Sequence, residues 1–452
     1  MRGPVPNTPK RTPPSGLLSL QEITGRLERT LERSPADETE LVWLEVGRHR
    51  AANRGQRVEV HESRERTILV RVLDRGRVGS HRTGTYEVPE LESAVRMAIA
   101  QSRSREPLSG LRHLPADETP IATSDPLYDA EIARLDAETA GELLRSARRR
   151  RAPLALEWTD ARVAVFNSRG VRRQVAVTTA TFEARCDGRP GGGWAAGASR
   201  TLEGLALERI VARARQRHVS GAVGELPTEA VPAVLSPEAV TALCDILNRV
   251  AFSAISYYEG SSFLRQHLNV QVFDRDFHLR DDGTDPRGLP FPFDLEGSAK
   301  RSVELILKGT PKTPALDQRQ AALLGLAPTA HAIAGNDARA LNLFMLPGED
   351  DDQDLLQAAD GGIWLGWIDH LECFEPTRVQ IRAHVRGVRR IRHGRLAEPL
   401  PDLTWEDGLL RAFSSLLALG KKVVLRSSPD GYLGGFSAPS VAISDLGELR
   451  PL

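Results

Sequence analysis

Pro290-Phe291-Pro292-Phe293-Asp294-Leu295-Glu296-Gly297 opens the stretch that decides the fold, and Leu341-Asn342-Leu343-Phe344-Met345-Leu346-Pro347-Gly348 closes it. Both segments interrupt a short apolar run with proline or glycine, a pattern typical of short strands that end in turns. Between them, the sequence predicts a helix that ends at Lys308-Gly309-Thr310. A chain built around such segments is expected to contain much β-structure with few helices nearby.

The length of 452 residues is too great for one ordinary hydrophobic core, so two domains are expected. Hydrophobic residues make up 40% and charged residues 27%, which is typical of a globular chain. We predict a disordered tail at residues 1–16, an N-terminal α/β domain at 17–222 and a C-terminal β-rich domain at 223–452. The boundary falls in the segment from Gly221 to Glu229, which has the composition of a linker.

The predicted fold class is α+β. In the N-terminal part the pattern favours helices and strands in mixed order, with a hairpin turn at Asp74-Arg75-Gly76. The C-terminal part opens with strand Val231–Leu235 and a helix capped by Ser236, and a late helix is predicted from Thr404. Its remaining predicted elements are strands, so this part is expected to be mainly antiparallel and barrel- or sandwich-like. These strands are Leu268–Leu279, Leu341–Leu346, Ile363–Ile368, Arg378–Val385, Lys422–Arg426 and Ser440–Ile443.

Bulk charge and cysteine usage limit the function classes. The chain has 60 basic and 60 acidic side chains, and this balance argues against nucleic acid as the main partner. Cys186, Cys244 and Cys373 stand far apart, which fits a reducing cytoplasm better than a disulfide framework. No apolar run is long enough to span a membrane, and the first residues lack the apolar core of a secretory signal. The expected location is the cytoplasm.

Two further segments accompany the central stretch at the expected places: Val234-Leu235-Ser236-Pro237 before it and Gly434-Gly435-Phe436-Ser437-Ala438-Pro439-Ser440 after it. In this order and spacing the segments resemble the TldD/PmbA family. Its members were long described as modulators of DNA gyrase and form a two-subunit peptidase. The resemblance implies a cytoplasmic heterodimer in which the TldD subunit carries zinc and the TldE (PmbA) subunit does not. It also implies roles in proteolysis and peptide maturation.

The family's zinc motif is missing from this chain. In TldD-type subunits an H-E-x-x-x-H follows the strand that matches Val231–Leu235, because two histidines on one helical face hold the metal and the glutamate takes a proton from its water. Here the first ligand position falls near Asp245 and the second near Val250. The family's third ligand is a cysteine, but the matching segment Tyr432–Ser437 has none. The resemblance therefore implies no metal in this chain and zinc in the partner.

Other nucleophile and metal patterns are weak. His61-Glu62 lies in a strand-like run, and Cys244 lies on the apolar face of its helix, where packing is the expected role. His370 and Cys373 are three residues apart, a spacing that directs side chains differently on a strand. A remodelled enzyme using Asp245, His370 or Cys373 is left as a minor alternative.

We predict a non-catalytic TldE/PmbA-like subunit that shapes the peptide cleft of a TldD/TldE-type metallopeptidase. The alternative is a homodimeric peptide-binding or scaffold protein without peptidase activity. No residue is assigned a catalytic or metal-binding role. The resemblance implies the following cleft residues: Phe293, Asp294, Glu296, Gly297, Asn342, Gly434, Gly435 and Ser437.

Some charged and glycine-rich segments have two interpretations. The arginine-rich segment Arg378 to Arg392 could bind an acidic peptide by strand addition or form a solvated sheet edge, and the solvated edge is favoured. Arg148–Arg151 is expected to be a solvated helix end, and the glycines from 188 to 197 a turn between strands. The acidic runs 281–285 and 349–354 are expected to form a turn and the start of a helix.

Overall fold

The computed structural model describes residues 20–54, 57–108, 110–117, 121, 127–147, 153–186, 191–334, 337–428 and 431–452. The helices are α1 Leu20–Glu32, α2 Val88–Arg103, α3 Ala130–Ala133, α4 Ala137–Ala147, α5 Leu207–Arg217, α6 Pro237–Ala251, α7 Ala254–Glu259, α8 Leu264–His267, α9 Gln318–Leu324, α10 Asp352–Ala358 and α11 Leu409–Ala412, with a 3-10 turn at Glu203–Leu205. The strands are β1 Glu38–Arg54, β2 Arg57–Asp74, β3 Arg77–Thr83, β4 Leu154–Asn167, β5 Arg172–Cys186, β6 Gly193–Ser199, β7 Ala233–Leu235, β8 Leu279–Asp282, β9 Ser302–Leu307, β10 Thr310–Pro311, β11 Ala332–Ile333, β12 Asp337–Ala338, β13 Leu343–Met345, β14 Ile363–Leu365, β15 Trp367–Glu375, β16 Gln380–Arg386, β17 Arg389–Arg392, β18 Arg395–Pro399, β19 Leu403–Gly408, β20 Leu416–Ser427, β21 Gly435–Ile443 and β22 Glu448–Pro451.

The N-terminal strands form one six-stranded antiparallel sheet in the order β3-β2-β1-β4-β5-β6. Side chains alternate between its two faces, and one face is covered by helices. At one end Trp43 packs beneath α1 and α2, and at the other Trp158 and Phe182 pack beneath α4 and α5. The predicted turn between Leu73 and Val78 is confirmed, because these residues pair across β2 and β3.

The C-terminal strands form a ten-stranded mixed sheet and a four-stranded antiparallel sheet, ordered β15-β16-β19-β22. Most pairings in the large sheet are antiparallel, but β13–β21 and β7–β14 are parallel. Helix α6 contributes to the core shared by the two sheets, with Leu243 and Leu247 fully buried. The α+β class with a mainly antiparallel C-terminal part is confirmed, and the sheets of the described residues are open rather than a closed barrel.

Helix α6 begins as its sequence predicts. The Ser236 hydroxyl accepts a hydrogen bond from the backbone N–H of Ala239 at 3.1 Å, and Pro237 occupies the first turn. The backbone N–H of Ser236 also donates to Leu365, which ties the start of the helix to β14. This anchoring fixes which face of α6 is turned away from the core.

Three predicted elements were wrong. The segment before Lys308 is strand β9 rather than a helix, and it pairs with β8. Only the last residue of the predicted strand Leu268–Leu279 belongs to a strand, and Phe273 and Phe277 bury their rings from the loop before it. The segment after Thr404 is strand β19, whose Leu403 and Trp405 are buried at a spacing of two, and only four residues of helix follow.

The arginine-rich segment is not a sheet edge. Strand β16 lies between β15 and β19, and β17 lies between β14 and β18. Arg382 pairs with Glu372 and Glu406, and Arg386 pairs with Asp369 and Asp402. Both sequence interpretations assumed a free edge, so both are wrong in that respect. The edge strands of the four-stranded sheet are β15 and β22.

Several smaller predictions also have an outcome. The acidic run from 349 begins α10 with a capping box on Asp351, as predicted. Asp281 and Asp282 end β8, and the predicted turn follows at Gly283 and Thr284. The glycines at 193 and 197 lie in β6 rather than in a turn. The tail at 1–16 and Arg148–Arg151 lie outside the described residues. Residues 218–232 form no helix or strand, and the domain boundary placed there stays a prediction.

Within the described ranges, no helix combines the length and apolar character required to cross a membrane.

Candidate functional site

A cleft of about 710 Å3 lies between the N-terminal sheet and the C-terminal part. The N-terminal sheet supplies one wall through β1, β2, β4 and β5. Helix α6, edge strand β15 and the β20–β21 connection supply the other. The residues lining it are Arg48, His49, Arg50, His61, Glu62, Ser63, Glu157, Trp158, Thr159, Thr179, Thr181, Glu183, Thr241, Ala242, Asp245, Arg249, Ile368, Asp369, His370, Leu371, Arg426, Ser427, Ser428, Gly431 and Phe436.

The floor of the cleft is polar because of strand alternation. On β5, Thr179, Thr181 and Glu183 line the cleft, while Ala180 and Phe182 between them are buried in the helix-covered core. Glu157 on β4 carries an ion pair to Arg50 on β1 at 2.9 Å. Burial, followed by the nearby charge of Glu183, raises the pKa of Glu157 above its usual range.

Helix α6 presents Thr241, Ala242, Asp245 and Arg249 to the cleft. The carboxylate of Asp245 forms an ion pair with Arg249, one helical turn further on, at 3.0 Å. Val250 packs against the core instead of facing the cleft. The two charges that α6 presents to the cleft therefore neutralise each other.

The predicted cleft residues Phe293 to Gly297 lie outside this cleft and inside the protein. Phe291, Phe293 and Leu295 pack against Val42 and neighbouring apolar residues of the N-terminal sheet. Gly297 has a φ of 80°, and a Cβ there would lie 2.4 Å from Cγ1 of Val171. The turn is thus shaped by its contact with the other part of the chain.

The acids of this turn belong to a buried charge cluster. The Arg71 guanidinium on β2 bridges Glu40 on β1 and Glu296, and the other carboxylate oxygen of Glu296 accepts the backbone N–H of Gln318 at 2.9 Å. Asp294 accepts three backbone N–H groups, from Glu296, Ser298 and Ala332.

The cluster carries more acids than bases. Burial, followed by the charge of Glu296, raises the pKa of Asp294 and of Asp317 to about 7. Burial also raises the pKa of Glu40 to about 7, although Arg71 opposes this shift. Arg71 itself keeps a pKa above its usual range, because Glu296 and Glu40 outweigh its burial.

The remaining predicted residues also have packing contacts. Asn342 is fully buried and donates its side-chain N–H to the carbonyl of Leu433 at 3.2 Å. A Cβ on Gly434 or on Gly435 would lie 2.1 Å from the Leu341 carbonyl oxygen or 2.6 Å from that of Arg426. Ser437 is buried within β21. The structure brings Asn342 next to Gly434 and places all eight residues away from the cleft lining; their role in peptide binding stays a prediction.

Comparison with known proteins identifies this architecture. Residues 228–447 match the model of the PmbA/TldA metallopeptidase C-terminal domain. This match covers the C-terminal part of the chain, which therefore carries the domain of the PmbA/TldD family. It is similar over 269 residues to a metalloprotease of Synechocystis sp., at 27% identity, and the match covers 53% of this chain and 54% of that relative.

Solved structures of the same fold cover nearly the whole chain. A candidate modulator of a DNA gyrase from Thermotoga maritima has a TM-score of 0.81 at 19% identity, covering 96% of this chain and 100% of that one. TldE from Thermococcus kodakarensis has a TM-score of 0.80 at 18% identity, covering 94% and 99%. A candidate DNA gyrase modulator from Bacteroides thetaiotaomicron has a TM-score of 0.77 at 17% identity, covering 96% and 99%.

A PmbA/TldD metallopeptidase implies a metal, but the donor set here does not fit zinc. Where the motif needs two histidines and a glutamate, α6 offers the paired Asp245 and the inward-packed Val250. Cys244 is buried, and burial raises the pKa of its thiol to about 12, so no thiolate is available from the helix. In the described ranges, no three His, Cys, Asp or Glu side chains are placed to hold a metal ion.

His370 and Cys373 do not form a pair. His370 is exposed on β15, and its ring lies tilted against that of His384 of β16, with ring centroids 5.0 Å apart. Cys373 is half-buried and packs against the C-terminal core. The prediction that the two side chains diverge is confirmed.

Two buried charged residues, missed in the sequence, hold the two walls of the cleft together. Glu238 in the first turn of α6 pairs with Arg217 and Arg213 of α5 at 2.8 and 3.3 Å. Arg200 donates to carbonyls on both sides, including those of Thr178, Leu289 and Tyr432. Burial lowers the pKa of Arg200 to about 9. No local sequence pattern predicts these contacts, because the partners are distant along the chain.

Proposed function

We propose that this chain is the non-catalytic, TldE/PmbA-like subunit of a heteromeric metallopeptidase, and that its cleft helps to hold the peptide that a zinc-bearing subunit cuts. The observation that carries the proposal is the wall formed by α6. This helix follows strand β7 at the position of the family's zinc helix and faces the large cleft, yet it presents an Asp245–Arg249 pair and no histidine.

The form of the cleft supports peptide binding. Its volume of about 710 Å3 lies within the range of ligand sites, and its lining mixes threonines, charged groups and a few apolar side chains. Ile368 and Leu371 of the edge strand β15 provide apolar contact beside polar partners for a peptide backbone. In this proposal the chain positions the peptide, while zinc, the general base and the remaining ligands come from the partner.

Co-purification tests the proposal. The chain is co-expressed with an H-E-x-x-x-H paralogue from the same genome, followed by zinc analysis and a cleavage assay on a denatured polypeptide. We expect a complex that cuts and holds zinc only in the paralogue. One zinc per chain in the purified lone subunit contradicts the proposal. A stable, inert homodimer that ignores the paralogue supports the scaffold alternative instead.

A further inference from the structure

A second cavity, of about 250 Å3, lies where the N-terminal sheet meets the turn around Phe293 and the start of α9. The residues lining it are Glu40, Val42, Leu69, Val70, Arg71, Ser80, His81, Arg82, Leu295, Glu296, Asp317, Ala332, Ile333 and Ala334. One water takes up about 30 Å3 of the liquid, so the cavity has room for more than a single bridging water. No described residue belongs to both this lining and that of the cleft.

The acids of this cavity outnumber the bases that neutralise them. Glu40, Glu296 and Asp317 line it, and Arg71 is the only base that forms an ion pair with any of them in the described ranges. Arg71 donates from one terminal nitrogen to Glu40 at 2.9 Å and from the other to Glu296. Asp317 therefore has no countercharge in direct contact.

Asp317 also has one oxygen without a hydrogen bond. The residue is 2% exposed and caps α9, with its Oδ1 accepting the backbone N–H of Gln320 at 2.6 Å. No described residue donates to its Oδ2. Glu296 lies beside this carboxyl, because it accepts the backbone N–H of the next residue, Gln318, at 2.9 Å. A buried acceptor without a partner costs free energy, which a donor in the cavity would recover.

Apolar side chains complete the lining. Val42 and Leu295 are buried, and Leu69 and Ile333 pack half-buried beside them. Such a wall does not suit a bare metal ion, and the described residues place no three donors to hold one. An ammonium group carries three N–H donors, and an alkyl chain attached to it matches the apolar wall.

We propose that this cavity binds a small organic cation, an ammonium group on a short alkyl chain, with Oδ2 of Asp317 as its acceptor and the charges of Glu296 and Glu40 beside it. The ammonium supplies the countercharge that Arg71 alone does not. The site is separate from the peptide cleft and lies at the contact between the two parts of the chain. A free alkylamine and a lysine side chain of a peptide present the same chemistry.

Binding of the cation should compete with protonation of these acids. Burial raises the pKa of Asp317 and of Glu40 to about 7, so near neutral pH they take up protons unless a cation neutralises them. A cation that displaces one such proton binds about tenfold more tightly at pH 8 than at pH 6. Protonation of His81 at the rim acts in the same direction. The charged and titratable groups around the site are Glu40 on β1, Arg71 on β2, His81 and Arg82 on β3, Asp294 and Glu296 in the turn, Lys300 after it, and Arg319 on α9.

Isothermal titration calorimetry of the full chain with n-butylamine tests the site. The controls are n-butanol, which has the same chain without a charge, and butyrate, which has the opposite charge. We expect butylamine to bind with a Kd on the order of 1 mM at pH 8, at least tenfold more tightly than either control. Its affinity should fall about tenfold at pH 6, where the amine itself is still protonated. Equal binding of the three probes, no binding of butylamine, or an affinity that ignores pH overturns the proposal.

A lysine probe identifies the source of the ammonium group. Nα-acetyl-lysine amide carries the same butylammonium group on a peptide-like backbone. Binding as tight as that of butylamine indicates that the site accepts the lysine of a peptide, and much weaker binding indicates a free amine. Either result supports the site, provided that butylamine binds as expected.

Variants locate the bound amine. Asp317→Asn keeps a cap on α9 but removes the charge, and is expected to weaken butylamine binding at least tenfold at pH 8. Asp351→Asn makes the same change in the cap of α10 and is expected to keep the affinity. Unchanged affinity in Asp317→Asn overturns the site. Loss of binding in Glu183→Gln instead would place the amine in the cleft, which also overturns the site and leaves the peptide-binding function untouched.

Discussion

One face of one strand has two different environments in this protein. On β1, Val42, Leu44 and Val46 pack into a core with the Phe293 turn, whereas Arg48 and Arg50 on the same face line the open cleft. The first region excludes water and joins the two parts of the chain. The second leaves polar side chains available for a ligand. Strand alternation decides to which face of the sheet a side chain points. The residue types along that face decide where it packs into the core and where it lines the cleft.

Substitution in the buried charge cluster around Arg71 should have the largest effect on the stability of the protein. Arg71→Met would leave Glu40 and Glu296 without their shared cation, and we expect a loss of roughly 3–5 kcal/mol in the free energy of unfolding. The measurement is urea denaturation. The matched control is Arg450→Met, whose exposed pair with Glu448 should contribute about 1 kcal/mol or less. Equal losses in the two variants would contradict a structural role for the cluster.

The contribution of the apolar contact to stability can be compared directly with that of the cleft floor. Phe293→Ala removes a ring that is 1% exposed and should cost about 3–4 kcal/mol of unfolding free energy, because the cavity left behind collapses only in part. Thr181→Ala, on the cleft floor, should change stability by about 0.5 kcal/mol or less. A large loss in the threonine variant would indicate that the cleft floor is part of the packed interface.

The acid cluster predicts that the stability of the protein depends on pH. The helix cap Asp351, whose pKa is shifted in the opposite direction, should give the opposite dependence. Asp317 has its pKa raised to about 7 in the folded protein, so the stabilisation by its proton is complete below the unfolded pKa, near 4, and is lost as pH rises through 7. Asp317→Asn keeps a cap on α9 but cannot ionise. Relative to the parent, this variant should gain stability between pH 4 and 7, by a few kcal/mol at most.

Asp351 caps α10 in a similar capping box, and backbone N–H groups from Asp354 and Gln353 lower its pKa. Asp351→Asn should therefore have the opposite sign: it loses stability relative to the parent above the unfolded pKa, and this difference disappears as pH falls through the folded pKa. Thermal unfolding of both variants across pH 3 to 8 measures the two trends. Parallel trends would contradict the burial argument.

The smallest effect is expected at the α6 wall of the cleft. The Asp245–Arg249 pair is partly exposed, so Arg249→Ala should cost about 0.5 kcal/mol or less. The variant tests whether this pair is a feature of binding rather than of folding. Unchanged stability with altered peptide affinity supports the assignment of this wall to the cleft, whereas unfolding of the variant would assign it to the core.

The sequence predicted the architecture better than the site. The capped helix α6 and the missing zinc ligands could be inferred locally, because a hydroxyl cap and a histidine pair depend on neighbouring residues. The alternation Thr179-x-Thr181-x-Glu183 predicts a polar face of the sheet. The neighbouring sequence does not indicate which part of the protein that face lies against. Phe293, Asp294 and Glu296 were placed in the cleft, whereas their partners Val42 and Arg71 are more than two hundred residues away.

Arg200 has a consequence for how the protein can be divided. Its two terminal guanidinium nitrogens donate to carbonyls of Leu289, Pro290 and Tyr432, which lie within the 228–447 region, while Arg200 itself lies outside it. A fragment cut to that region would lose this donor, the two arginines around Glu238 and the sheet that covers Phe293. We therefore expect a fragment limited to residues 228–447 to be less stable than the full chain, although it contains the whole segment that matches the family.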